Sequence, residues 1–559
     1  MKDLSQQIAF IVSAIPRVLQ QIDHDPLSPT FGSAHLAYWR DKTSEISDMR
    51  RQEVMFPLAL LYSNQYPGST YQGDENILAG VEALLDFWCK NQYSDGSMDE
   101  WYKGERAFAA AAFSSHAVAR TLHVLDGRLS AELSATARQK LAQTANWLTR
   151  RNDLFKTNHQ AVGVAALAWA GEVLDDNTLK ENARDKLTSI IHSQTSEGWF
   201  LEVGHMDIGY TFLTVEFIVM TMALWEDWEY VGPFVRAYDF ACEWVHPDLY
   251  TGEEYGICHN PYISRIATTI LTPHSGRAAY LQQRFLQDSS GFKGFANTLA
   301  DDLRLPRWAF QPLLAYDYHQ QSSGIIAHEE ILPLLTPSEL PSIAFFELAG
   351  VARFCGGGGV GVFAPVAGGL CRFLASDSKA ELTDFGYAIS TRQNYATNLT
   401  YDRKIKAEVI NNSIRLVCPM PPVRKFMPPF IARLILRLLC STAIGSRLTR
   451  KGIDIIRRKK GTAINQSSAN LGGREAKWQL ERQLVVAAAE VRVIDKLTFD
   501  GTIAVEQINF LHSASGGWQK KSPILDSLPN LPTHIEQLTV AKSYRFKKSW
   551  QMVHIEVVD

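Results

Sequence analysis

Ser193-Gln194-Thr195-Ser196-Glu197-Gly198-Trp199 closes one apolar segment, and Asn91-Gln92-Tyr93-Ser94-Asp95-Gly96-Ser97 closes another, with the two glycines 102 residues apart. A third break of the same kind, Asp248-Leu249-Tyr250-Thr251-Gly252, follows 54 residues after the second, glycine to glycine. A unit of about 50 residues, two helices and their loops, accounts for this spacing. The segments between the breaks agree with it. Val54 to Tyr62, Ile77 to Cys89, Ala107 to Leu125, Leu133 to Thr149, Ala161 to Leu174 and Asn182 to Gln194 carry apolar residues at three- and four-residue spacing. Helix pairs repeated in this way stack into a solenoid or close into an (α/α) toroid, an incomplete barrel whose loops converge on a bowl at one end. The repeat predicts such a toroid over residues 1–340.

Beyond residue 340 the texture changes. Cys355-Gly356-Gly357-Gly358-Gly359 punctuates Val351 to Phe363, and strand-like pieces follow at Val360 to Phe363, Ile405 to Val417, Ala488 to Asp495 and Trp550 to Val557. Alternation such as Ser413-Ile414-Arg415-Leu416-Val417-Cys418 marks half-buried strands. The expectation is an α+β multidomain chain in which an antiparallel β-sandwich over 341–559 follows the helices. One insertion interrupts it. Residues 424–460 hold eleven Lys or Arg against the single acid Asp454, and within them Phe430 to Leu439 is apolar with regularly placed Arg. Three readings stay open for Arg424 to Lys460: a peripheral contact with an anionic membrane, a cradle for an acidic polysaccharide, and a basic helix packed on the sandwich.

Bulk properties narrow the class. The chain has 559 residues, too many for one compact core, with 46% apolar and 21% charged residues and a net charge of −3. Such a balance speaks against nucleic acid as a partner. Thirteen Trp and nineteen Tyr suit a long aromatic cleft. The seven cysteines are scattered without a C-x-x-C pair, so neither a zinc knuckle nor a disulfide framework is indicated, and no cofactor is implied. No apolar stretch approaches the roughly 20 residues that span a bilayer. The N-terminus lacks a strongly cationic start and a convincing small-residue cleavage site, which predicts a cytoplasmic protein, membrane-associated if the insertion reaches a lipid surface.

Two adjacent polar side chains, Asn158 and His159, open the small-residue segment Ala161 to Gly171. Buried unpaired they would be costly, so they are either a helix cap and a satisfied core histidine or part of a site. Fifty-two residues beyond Asn158 stands Tyr210, after Glu197-Gly198-Trp199-Phe200-Leu201-Glu202 and Asp207-Ile208-Gly209.

In this pairing the chain resembles the heparinase II/III-like polysaccharide lyases, which join an (α/α) toroid to a β-sandwich and cleave uronate-containing polysaccharides. That family presents an Asn, often followed by His, at a helix start; a loop of the type D-G-x-x-x-E and a helix opening with Tyr come some fifty residues later. The resemblance implies an acidic polysaccharide as substrate and assigns Asn158, His159 and Tyr210 to catalysis. Asn158 and an imidazole would stabilise the enolate-like intermediate formed when the C5 proton leaves. Tyr210, its pKa lowered by these neighbours, would act as base, or would protonate the leaving 4-oxygen. The family's further His or Tyr from the start of the sandwich has no counterpart in Val351 to Asp384, which directs attention to His205, His259, His274 and Tyr387, with His259 and His274 chosen. Trp101, Tyr102, Glu105 and Arg106, together with Glu202 and Tyr255, are the candidates for binding the glycan.

Other classes compete. Proton return to the opposite face of C5 would make the protein a uronosyl C5-epimerase of exopolysaccharide or capsule biosynthesis, which suits a cytoplasmic location. A noncatalytic glycan-binding assembly protein would need the same cleft without the chemistry. A glycoside hydrolase would need two carboxylates across it, for which Asp99, Glu100, Glu202 and Asp207 are available. His205, Asp207 and His259 can ligate a metal, but their spacing is not diagnostic of one.

Overall fold

In a computed structural model the chain is described except for residues 1–3, 154, 288–301, 322–327, 329, 335–339, 375–380, 391–394, 422–429, 443, 446–447, 450, 453–477, 505–506, 516–523, 529–533, 547–549 and 559. Helices come first: α1 (Ser5–Leu19), α2 (Leu36–Trp39), α3 (Met55–Ser63), α4 (Glu75–Lys90), α5 (Phe108–Val124), α6 (Ala131–Thr149) and α7 (Thr157–Leu174). They continue with α8 (Asn177–His192), α9 (Ile208–Trp225), α10 (Val231–Cys242), α11 (Arg265–Leu271), α12 (Gly276–Gln287), α13 (Leu305–Trp308) and α14 (Phe310–Gln321).

Their packing follows from which of them are apolar all round. Nearly every residue of α5, α7 and α9 is buried, as expected of helices enclosed by others. α5 packs on α7, α7 on α9, α9 on α11, α11 on α14, α14 on α3, and α3 again on α5. The amphipathic helices lie against these: α4 on α3, α6 on α5 and α7, α8 on α7, α10 on α9, α12 on α11 and α1 on α14. By length and composition α9 could cross a membrane, contrary to the sequence expectation that no segment approaches that limit, but 78% of its apolar window is buried inside the fold. It is a core helix whose buried Phe, Leu, Ile, Val and Met side chains are each worth roughly 1.5–3 kcal/mol of burial.

The first two of the recurrent breaks, those of Gly96 and Gly198, are structurally equivalent. Gln92, after α4, donates from Nε2 to the Lys140 carbonyl (2.6 Å) and Thr144 Oγ1 (2.7 Å) on α6. Gln194, after α8, donates to the Pro233 carbonyl (2.6 Å) on α10 and to the Gly198 carbonyl (2.7 Å). Gly96 and Gly198 both have positive φ, and a Cβ on Gly96 would stand 2.3 Å from the Gln143 carbonyl oxygen. The turn can therefore seat on the next helix only with glycine there.

Strands begin at Ser342. One antiparallel sheet comprises β1 (Ser342–Phe346), β2 (Val351–Gly356), β3 (Gly359–Ala364), β4 (Leu370–Leu374), β5 (Glu381–Ser390) and β6 (Tyr395–Thr397). The other opens with β7 (Ala407–Ile410) and β8 (Ser413–Pro419), then takes β9 (Gln479–Val486) and β10 (Val491–Ala504). β11 (Gln507–Ser515) and β12 (Ile524–Ser527) return to the first sheet; β13 (His534–Phe546) and β14 (Trp550–Val558) finish the second. The orders are β1-β2-β3-β4-β5-β11-β12, with β6 on β5, and β14-β13-β10-β9-β8-β7. Gly357 and Gly358, both at positive φ, turn the β2–β3 hairpin as such two-residue loops require. Phe354, Phe363 and Phe373 of one sheet share a core with Leu416, Leu484 and Val493 of the other.

Between β8 and β9, α15 (Phe430–Cys440) is described, whereas residues 424–429, 443, 446–447, 450 and 453–460 of the basic stretch lie outside the described residues.

A charge network fully removed from solvent crosses the two sheets. Arg482 on β9 donates to both Asp495 oxygens (2.7 and 2.8 Å) and to Asp384 on β5 (3.1 Å). Lys542 on β13 lies 2.7 Å from each of these carboxylates. Tyr387 donates to Asp495 and Tyr544 to Asp384, both at 2.8 Å. Arg482 and Lys542 hold the Asp384 carboxyl well below the usual carboxylate range despite its burial. Removing one member strands opposite charge in a dry interior. Arg482→Met is expected to destabilise the fold by about 3–5 kcal/mol, seen as a lower urea midpoint for loss of sheet signal; an unchanged midpoint would contradict this account.

Candidate active site

The N-terminal ends of α5, α7 and α9 lie together, and the start of α7 meets the loop before α9 through backbone before side chains. Lys156 bridges to Glu202 in β fashion, Glu202 pairs back on His205, and Thr157 bonds the Leu201 carbonyl through N (3.2 Å) and Oγ1 (2.7 Å). The loop carrying Glu202 is thus stitched to the first turn of α7.

Asn158 is not a cap. The cap position is Lys156, with no side-chain cap bond, and Asn158, 1% exposed, instead donates from Nδ2 to Glu202 Oε2 at 2.5 Å. Asn158 Oδ1 and Glu202 Oε1 are buried without a hydrogen-bond partner. Burial pushes the Glu202 carboxyl up to about 8, against the opposing pull of Lys156 and the Asn158 bond. At neutral pH Glu202 therefore carries its proton.

His159 turns the other way. Its Nδ1 pairs with Asp153 Oδ2 at 2.8 Å, its ring meets Phe113 edge-on at 6.0 Å, and burial lowers its pKa.

Asp207 caps α9 by accepting from the Tyr210 N–H (3.0 Å) and holds the following loop through the Cys258 N–H (2.8 Å). Burial raises its pKa to about 7. The loop comes so close that a Cβ on Gly256 would lie 2.5 Å from Asp207 Oδ2, and one on Gly209 2.2 Å from the Asn260 carbonyl oxygen. The Tyr210 phenol sits within electrostatic reach of Glu202, Asp207, Cys258 and Arg50. The sequence reading asks for a lowered phenol pKa; burial, with Cys258 and the two acids adding to it, raises it instead. His259 follows Cys258 at this same end, in a left-handed backbone conformation (φ 52°).

The remaining candidates separate. Trp101 is 73% exposed at the rim of the loop before α5, with Tyr102 partly exposed beside it. Glu105 accepts from the Glu100 and Trp101 N–H groups (3.1 and 2.7 Å) and is raised by burial to about 7. Arg106 pairs with Asp95 and lies over the Tyr93 ring at 4.7 Å, which commits its guanidinium to the loop itself. Tyr255 is fully buried, 3.2 Å from His246 through its hydroxyl and packed on Trp244, so it offers no face to a ligand. His274 stacks on Trp228 at 5.1 Å, beyond the C-terminal end of α9. At 1.5 Å rise per residue that is roughly 20 Å or more from Tyr210, so the structure does not bring His274 to the others. Tyr387 lies inside the buried charge network of the sheets. His205 bonds the Tyr401 hydroxyl through Nδ1 at 2.6 Å and the Leu348 backbone, an interdomain strut rather than an available imidazole. Among the described residues no group of three or more His, Cys, Asp or Glu is placed to hold a metal ion. A groove lined by Glu172, Lys180, Arg184 and Trp225 lies at the other end of α7 and α9 and contains none of the candidates.

Sequence reasoning passed over Arg50, Lys156 and Cys258. Arg50 pairs with Glu53 (2.8 Å) and approaches Glu100 (3.8 Å) while its guanidinium covers the Phe113 ring at 3.6 Å. The signal was present in Asp48-Met49-Arg50-Arg51-Gln52-Glu53, a charge-dense stretch directly before the apolar Val54 to Tyr62.

No family model matches the sequence, and no curated protein sequence matches it. Solved structures do share its fold. A xanthan lyase from Paenibacillus superposes with TM-score 0.53 at 11% identity, over 90% of this chain and 46% of that one. The chondroitin AC lyase of Streptomyces coelicolor, solved in complex with chondroitin sulphate, does so with TM-score 0.55 at 10% identity, over 91% of this chain and 68% of that one. The chain thus spans less than half of the xanthan lyase and about two thirds of the chondroitin lyase. The fold is one used by polysaccharide lyases, a coarser statement than the heparinase II/III-like resemblance.

Because Glu202 keeps its proton in the folded protein up to pH about 8 but loses it near the ordinary carboxylate value when unfolded, the unfolded state binds fewer protons across that interval. Stability therefore falls as pH rises through it. Glu202→Gln removes this cost: its melting temperature is expected to gain on the parent between pH 5 and pH 8. A constant difference would place the titration elsewhere.

Proposed function

We propose that the protein cleaves a uronate-containing polysaccharide by β-elimination, with the cycle of α3, α5, α7, α9, α11 and α14 as the inner ring of an (α/α) toroid and the ends of α5, α7 and α9 as the floor of its cleft. The observation that carries this reading is the Asn158–Glu202 pair: two polar groups buried at a helix start, each with a free oxygen, beside the Tyr210 phenol.

The roles follow from protonation. A uronate brings a carboxylate, and loss of its C5 proton adds a second negative charge to the same group. Neutral Glu202 donates through its hydroxyl and Asn158 through its second amide hydrogen, which stabilises that charge without repelling the substrate. Tyr210, protonated in the free protein, is suited to deliver its proton to the departing 4-oxygen. His259 is assigned as acceptor of the C5 proton. The C5–H electrons then form the C4–C5 double bond as the C4–O4 bond breaks, and transfer of the proton from His259 to Tyr210 restores the site.

Incubation with heparosan, alginate and other uronates, followed by ultraviolet absorbance of the unsaturated uronate, tests this. Tyr210→Phe is expected to lower turnover about 10²–10⁴-fold, the range for a lost acid or base, with an unchanged melting temperature. Glu202→Gln keeps a neutral donor and should retain most activity below pH 8 while losing the alkaline limb that ionisation of Glu202 imposes on the parent. Exchange of the C5 hydrogen with deuterated water without chain cleavage would make the protein a C5-epimerase. Absence of both across the panel would defeat the reading.

A further inference from the structure

The strongest unexplained surface is α15. Every side chain described between Phe430 and Leu439 is exposed, including Phe430 at 71%, Ile431 at 69% and Leu438 at 65%. With i, i+4 neighbours stacked on one face, Phe430, Leu434 and Leu438 form one row and Ile431, Ile435 and Leu439 the next. Arg433 and Arg437 form a row on the opposite side. Among the described residues the helix touches the rest of the chain lightly: Arg437 stands 3.9 Å from Glu45, both more than three-quarters exposed, a pair worth little in water. Contiguous apolar surface on this scale marks an interaction site.

Charge decides the partner. The helix contains no acid, and the sequence from Arg424 to Lys460 carries eleven cations against one anion. Two copies meeting through this element would bring like charges together. A bilayer with anionic headgroups takes the apolar face into its interface and the arginines at its phosphates.

We propose that α15 is an interfacial anchor that seats the protein on an anionic lipid surface. This does not depend on the assignment of the active site, because α15 contributes no residue to it.

Flotation of the full chain with vesicles tests the proposal. The protein is expected to rise with vesicles of phosphatidylglycerol and phosphatidylcholine, to bind pure phosphatidylcholine at least about tenfold more weakly, and to be released by high salt. Leu434→Glu with Leu438→Glu should abolish flotation, and Arg433→Gln with Arg437→Gln should weaken it about tenfold or more, each without a change in melting temperature or in activity on soluble glycan. Equal binding to both vesicle types, or unaltered flotation of the variants, would overturn the proposal. So would a concentration-dependent dimer that Leu434→Glu disperses while vesicle binding stays absent.

Discussion

Desolvation of Glu202 is the constraint around which the site is arranged. Water is kept from the carboxyl by the first turn of α7 on one side and by its own loop on the other, so the group is held neutral at a pH where a surface glutamate would be charged. Asn158 supplies one hydrogen bond and leaves the rest of the polar capacity open. Lys156 stands near enough to be felt, yet burial prevails.

That arrangement is held from behind by the sheets. Glu197 in the loop after α8 accepts the backbone N–H groups of Leu348 and Ala349 (2.8 and 2.9 Å) and the Trp199 indole (3.0 Å). His205 reaches Tyr401, and Arg403 reaches the Gly204 carbonyl (3.2 Å). On the neighbouring loop, buried Arg372 of β4 pairs with Glu254 at 2.7 Å. Each contact fixes a loop adjoining Glu202 or Asp207, so the second half of the chain contributes geometry to the site through Tyr401, Arg403 and Arg372. Those residues, rather than a sandwich histidine, are what the sheets bring to this end of the helices.

Much of the fold was legible because its determinants are local. The period of the Gln-Gly breaks, the apolar inner helices and the alternation along β8 each state their own structure, and Gln92 and Gln194 make the same bond in the same place. The site was legible only in part. Asn158, Glu202 and Tyr210 were drawn together by the family resemblance, but His274 was misplaced because sequence does not say at which end of a helix pair a loop emerges. Tyr255 was mistaken for a cleft residue because an aromatic in a polar loop reads alike whether its ring faces solvent or Trp244. Buried charge was illegible altogether: Arg482, Asp495 and Lys542 sit in strands whose alternation places them inward, and only their mutual neutralisation across two sheets explains why they are tolerated. The direction of the Tyr210 shift escaped for a similar reason, since neighbours can be named from sequence while the depth of burial that outweighs them cannot.

The proposed substrate and the observed electrostatics bear on each other. Glu105, Glu202 and Asp207 are among the acids at this end of the helices, and in their ordinary ionised state they would repel a polyanion. Burial raises them to about 7, 8 and 7, so near neutrality a large share of that charge is absent. A group of buried carboxyls can thereby repel an anionic chain less than its composition suggests and still retain protons to give. The same burial that makes ionised acids costly makes their neutral forms effective donors, because in a dry site a hydrogen bond to developing negative charge is not diluted by solvent. A carboxyl-rich floor and an acidic polymer are therefore compatible here, provided the acids remain shielded from water.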